Sequence, residues 1–195
     1  MFAQLKSRDN VEYVLRDADG NIKPLFQDYR WTQYLIKAGI LSPTWINSES
    51  WVRNALLPVL GHYAMAKTAR NGVPTVGKAL IAGLTMGSGA PAAATYIAVG
   101  TGTNAFSAAD TTLQTETATS GLSRAAGTLS LVTTTTTNDT AQALKSFSVS
   151  GTVAVTESGM FNASSAGTLL ARQTFSAINV INGDTLQITW KIQYS

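Results

Sequence analysis

Histidine occurs once in this chain, at His62, and cysteine does not occur. The usual Cys/His zinc sets therefore cannot be assembled. A Ser–His–Asp relay would have to recruit His62, which sits beside Tyr63 in a stretch of helical spacing, and no strand–turn–helix nucleophile elbow is present. Asp17, Asp19 and Asn21 alternate like the opening of a calcium loop, but Ile22 stands where that loop needs glycine and no glutamate closes it. Gly100-Thr101-Gly102-Thr103 follows an apolar run as a dinucleotide loop does, yet it lacks the third glycine and a following helix; Gly87-Ser88-Gly89 lacks the Gly-Lys-Ser/Thr ending of a phosphate loop. Asp110, Glu116, Asp139, Glu157 and Asp184 remain as acids. Glycoside chemistry would require two of them about 5–9 Å apart, and nothing in their spacing pairs them. The expectation is a protein that is not an enzyme and needs no metal or cofactor.

The elements that would position these residues divide the chain. Residues 11–26 predict a small hairpin turning at Asp17-Ala18-Asp19-Gly20-Asn21. Trp31, Tyr34, Leu35 and Ala38 then follow helical spacing up to Gly39. Trp51, Val52, Ala55 and Leu56 mark a second short helix. Pro58 ends it or opens a third through Leu60, Tyr63, Ala64 and Lys67, and Thr75 starts another bearing Leu80, Ile81 and Leu84. Residues 86–94 lack charge and pattern and are expected as a linker.

Beyond the linker the signals are all β. Tyr96 to Val99 is a short strand, and Leu122–Val132 with the Thr133–Thr137 run is a β-branched stretch. Phe147, Val149, Gly151, Val153 and Val155 share one face; Leu169, Ala171 and Phe175 define another strand. From Thr185 to Tyr194 the alternation is without error, with Leu186, Ile188, Trp190, Ile192 and Tyr194 on one side. The expected fold is mainly β: an antiparallel, jelly-roll-like β-sandwich at 95–195, preceded over 1–85 by a helical docking segment with an N-terminal hairpin.

Composition narrows the partners. Apolar residues make up 45% of the 195 and charged residues only 13%, a weakly repulsive surface suited to packing against neighbours. The net charge of +3 arises wholly before Thr75, where nine bases face six acids; five face five beyond it. Those bases are scattered among acids, unlike a phosphate-tracking patch, so nucleic acid is not an expected partner. Gly77, Gly83, Gly87, Gly89 and Pro91 break the most apolar stretch, residues 76–99, so no membrane span is expected. Met1 to Asn10 has no long apolar run and does not resemble a secretory signal.

Several stretches carry a family resemblance: residues 95–103 (Thr-Tyr-Ile-Ala-Val-Gly-Thr-Gly-Thr), 122–127 (Leu-Ser-Arg-Ala-Ala-Gly), 155–163 (Val-Thr-Glu-Ser-Gly-Met-Phe-Asn-Ala), 170–175 (Leu-Ala-Arg-Gln-Thr-Phe) and 182–186 (Asn-Gly-Asp-Thr-Leu). In order and spacing, from about Val76 onward, they resemble small structural proteins of tailed bacteriophages, described as tail-fibre-like or head-decorating. The resemblance implies a virion structural component, assembled in the bacterial host cytoplasm, whose partners are capsid, portal, neck or tail subunits and further copies of itself. A neck, collar or tail-associated accessory protein is the leading expectation; a capsid decoration (cement) protein and a glycan- or receptor-binding tail-fibre module are the alternatives. The resemblance does not reach residues 1–71 and supplies no active residues. The aromatic N-terminal segment is the expected docking element, through Trp31, Tyr34, Trp45, Trp51, Arg53 and Tyr63, because large aromatics on short helices need a sizeable surface to pack against.

Overall fold

A computed structural model describes residues 7–37, 40, 51–70, 72–89 and 91–194. The described chain is mainly β, with antiparallel sheets in a sandwich-like arrangement and short helices α1 (Arg30–Lys37), α2 (Trp51–Leu60) and α3 (Thr75–Met86). The larger, six-stranded sheet runs β2 (Ile22–Lys23), β1 (Ser7–Arg16), β12 (Thr185–Tyr194), β9 (Thr140–Ser148), β8 (Thr128–Val132), with β5 (Lys67–Arg70) beside β2 on the same flank of β1. A four-stranded sheet runs β11 (Leu169–Val180), β10 (Val153–Phe161), β6 (Tyr96–Gly100), β7 (Ala125–Ala126). A separate hairpin pairs β3 (Leu25–Asp28) with β4 (Gly61–Ala64).

The alternation of β12 does what its period demands. Leu186, Ile188, Trp190 and Ile192 are buried in the main core and face Val11, Tyr13 and Leu15 of β1, whose register with β12 runs unbroken from Ser7↔Tyr194 to Arg16↔Thr185. Phe175, Ile178, Met160, Ile97 and Val99 supply the core from the other sheet. The two layers also meet through polar atoms: Trp190 Nε1 donates to Ser158 Oγ at 3.2 Å, and Ser158 Oγ donates to Ala98 O at 3.0 Å. A smaller cluster of Ala98, Leu113, Phe161 and Leu169 lies apart from the main core and takes in Val76 of α3. Gly87, at φ 64°, ends α3 in the left-handed region, and Ser88 N–H donates to Gly83 O.

The structure corrects the N-terminal reading. The segment expected as a separate docking piece contributes β1, β2 and β5 to the same sheet as β9 and β12, so the linker at 86–94 does not divide the strands into independent halves. Of the helix considered through Leu60, Tyr63, Ala64 and Lys67, Leu60 ends α2 and the other three lie on β4 and β5. Pairing wins over the helical spacing: β4 lies on β3, β5 lies on β1, and Lys67 is drawn inward by buried partners. Pro58 falls inside α2, not at its boundary.

Two β-half details also differ. Residues 149–152 form a turn, so the face shared by Phe147 through Val155 belongs to two strands. Residues 133–139 are a loop because the Asp139 carboxylate takes the amides of Thr134, Thr135 and Thr136 at 2.9–3.0 Å, withdrawing them from any ladder.

Candidate functional site

Asp28, Lys67 and Ser176 make a sealed polar knot where the β3–β4 hairpin meets the body. Lys67 Nζ donates to Phe26 O at 2.7 Å and Asp28 Oδ2 at 3.2 Å, and also bonds Ser176 Oγ, which donates to Asp28 Oδ2 at 2.9 Å. Burial pulls the Lys67 ammonium below its ordinary pKa, against the raising effect of Asp28. A serine beside such a lysine is the pairing a Ser–Lys hydrolase uses. Here all three side chains are buried, so Ser176 Oγ is closed to substrate and the knot is a tether. Beside it, the Gln27 side chain behaves like an extra strand residue, accepting from Thr68 N–H at 2.6 Å and donating to Thr68 O at 3.0 Å.

Two helices hang on this hairpin. Helix α2 runs straight into β4, and α1 follows β3 after Tyr29. Their junction is the Leu60 carbonyl, which accepts from Tyr29 N–H at 2.9 Å and from the buried Thr32 hydroxyl at 2.6 Å. Gly61 is required at this joint, because a Cβ there would collide with the Gln27 carbonyl oxygen.

With the backbone thus pinned, several large apolar side chains remain outside. Trp31 is 44% exposed, Tyr34 70% and Tyr63 59%; Ile40, Leu56, Val59 and Met65 are exposed as well. Tyr63 touches Phe26 edge-on with centroids 5.7 Å apart, and His62, now on a strand, lies 5.5 Å from the Tyr29 ring. Of the residues expected to dock, Trp31, Tyr34 and Tyr63 are therefore exposed on α1 and β4. Trp51 and Arg53 lie on α2 with side chains outside the described set, and Trp45 lies outside the described residues.

Two acids of the β half, Glu157 and Asp110, converge on Arg172. Glu157 Oε1 accepts from Gly102 N–H at 3.1 Å and Thr115 N–H at 2.7 Å; Oε2 accepts from Gln114 N–H at 3.0 Å and from Arg172 Nε at 2.9 Å, and it lies 2.8 Å from Arg172 Nη2 in an ion pair. Arg172 also donates to Asp110 Oδ2 at 2.9 Å and Asn104 O at 3.1 Å. Thr156 Oγ1 donates to Gly102 O, and a Cβ on Gly102 would strike Glu157 Oε1. Glu157 is wholly buried with both oxygens engaged, so the carboxylate fastens loop 101–117 over the sheet and is not free as an acid or base. Arg124 makes a similar clasp: it pairs with Glu116 at 2.5 Å, donates to Ala166 O at 2.7 Å, and lies 3.6 Å over the Phe161 ring.

Sequence reasoning missed the Asp28–Lys67–Ser176 knot and the Glu157–Arg172 pair. Charged residues inside apolar or β-branched runs were the available signal. Among the described residues, no group of three or more His, Asp or Glu is placed to hold a metal ion, and no helix is long and apolar enough to cross a membrane. Scans against protein-family models, curated proteins and solved structures each return no match.

Proposed function

We propose that this chain is a non-enzymatic structural component of a tailed-bacteriophage virion, an accessory protein of the neck, collar or tail that docks through the face built by α1, α2 and the β3–β4 hairpin. The observation that carries the docking assignment is the gathering of Trp31, Tyr34, Leu56, Val59, Tyr63 and Met65, all exposed, on elements tied to the body by a buried ion pair. Exposed aromatics on a pre-organised backbone lose little conformational freedom on contact and are the residue types that dominate interface energies. The tie to phage particles rests on the resemblance of the β half. The stretches that carry it include Glu157 and Arg172, which form one buried clasp, and Arg124, the basic half of the other.

The test is complementation. Particles lacking the protein are supplied with wild type or with a Tyr34→Asp/Tyr63→Asp chain, and its copy number is measured in purified particles. Losing a central interface aromatic costs about 2 kcal/mol or more, a ~30-fold weaker contact, so the variant is expected to be depleted from particles while staying soluble and folded. Equal incorporation removes this face as the docking surface. Absence of the wild-type protein from particles removes the virion assignment. Retention on DNA-empty heads or on isolated tails distinguishes a head-decorating location from a tail-associated one.

A further inference from the structure

Strand β8 closes one side of the six-stranded sheet, with no strand beyond it among the described residues. An edge strand turns half its backbone N–H and C=O groups outward, and folded proteins guard such edges with lysine, proline, a bulge or a covering segment. Among the described residues, strand β8 has none of these. Its register with β9 runs without a shift from Thr128↔Leu144 to Val132↔Thr140, and residues 125–138 contain no charged residue and no proline. Residues 128–131 are exposed.

Leu129 and Leu131 stand opposite Ala143 and Ala141, and Ala143 in turn stands opposite the buried Trp190. Both leucines therefore lie on the inner face of the sheet, yet they are 52% and 64% exposed. The second sheet ends on this side in the two-residue β7, which is too short to cover them.

We propose that β8 pairs antiparallel with β8 of a second copy of this chain, about a two-fold axis through Ser130. The order Thr128-Leu129-Ser130-Leu131-Val132 selects that occupant, because its apolar pattern is close to symmetric about its centre. Turned on itself, it sets Leu129 beside Leu131 of the other copy at both ends of the contact, Thr128 beside Val132, and Ser130 beside its own counterpart on the opposite face. No charge meets a like charge. A slide of one residue would place Leu129 beside Ser130 and set the inner face of one copy against the outer face of the other. The result is an isologous contact that joins the two larger sheets through β8, separate from the α1–α2 face.

The test uses the full-length chain in sedimentation velocity and an oxidation assay. The wild type is expected to sediment as a dimer, and Leu131→Lys as a monomer with an unchanged circular dichroism spectrum. The chain lacks cysteine, so Ser130→Cys adds a single thiol opposite its copy. Facing Cα atoms in antiparallel strands lie about 4.5–5.5 Å apart, within disulfide range. Mild oxidation should therefore give a covalent dimer, while Ile181→Cys, exposed elsewhere on the body, should not. The Tyr34→Asp/Tyr63→Asp chain should remain dimeric. A monomeric wild type, a dimer that survives Leu131→Lys, or Ser130→Cys crosslinking no faster than Ile181→Cys would each overturn the proposal. So would loss of the dimer in the tyrosine variant, which would move the contact to the other face.

Discussion

Glu157 and Arg172 show how a residue can look chemical and act structurally. The pair is sealed beneath loop 101–117 with every carboxylate oxygen and guanidinium nitrogen engaged. Removing one charge from such a pair strands the other, at a cost of about 3–5 kcal/mol. Glu157→Gln is accordingly expected to lower unfolding free energy by that order in urea titration and to expose loop 101–117 to protease. Asp139 is the opposite case, a half-buried acid tuned by its loop. The N–H groups of Thr136 and Thr134, the Gln193 amide and the N–H of Thr135 hold its carboxyl well below the usual aspartate range, against a smaller desolvation effect. A depressed folded pKa gives a contribution present above the unfolded value of 3.8 and lost as pH falls toward the folded one. Protection of the Thr134–Thr136 amides against hydrogen exchange, relative to their intrinsic rates, should therefore be lost only in acid, and Asp139→Asn, which keeps one acceptor oxygen, should already show reduced protection at neutral pH. Neither role was legible in the sequence: Arg172 lies fifteen residues from Glu157 and Gln193 fifty-four from Asp139, and only the folded sheets bring them together.

At the scale of elements, period-two patterning carried what local sequence can carry. β12 matches the alternation of residues 185–194, and the β1–β2 turn matches Asp17–Asn21, where Asp17 accepts from the Asn21 and Asp19 amides. The strands β4 and β5 were hidden because Leu60, Tyr63, Ala64 and Lys67 mimic a helical stripe, while the force that extends them comes from Asp28, Gln27 and Ser176 elsewhere in the chain. The tether has its own pH signature. Lys67 is held below its ordinary 10.5 by burial, so the folded protein binds fewer protons there than the unfolded chain, and stability rises with pH between the lowered value and 10.5. Lys67→Met should flatten that rise and loosen the hairpin in hydrogen exchange. On the proposed docking face, Tyr34→Ala removes a side chain that is mostly in solvent, so stability should change by no more than about 0.5 kcal/mol while the proposed particle binding should fall. Equal losses in both would make Tyr34 part of an internal core instead.

At the scale of the whole molecule, the N-terminal strands β1, β2 and β5 and the β half share one sheet. β1 lies between β12 and the β2/β5 flank, and its Val11, Tyr13 and Leu15 are buried in the core shared by both sheets. A β half cut free of the first seventy residues is therefore expected to fail to fold, visible as loss of cooperative thermal unfolding. A truncation that melts cooperatively would show that β1 is dispensable. Docking must consequently be disabled by surface substitutions and not by deletion. The account's central claim, a virion component gripping its neighbours through α1, α2 and the β3–β4 hairpin, is most directly tested by a cryo-electron density map of an intact particle that carries the protein. The expected result is density for this chain with Trp31, Tyr34 and Tyr63 buried against a neighbouring particle protein and the β body directed outward. Particles without such density, or a chain whose α1–α2 face looks into solvent, would contradict it.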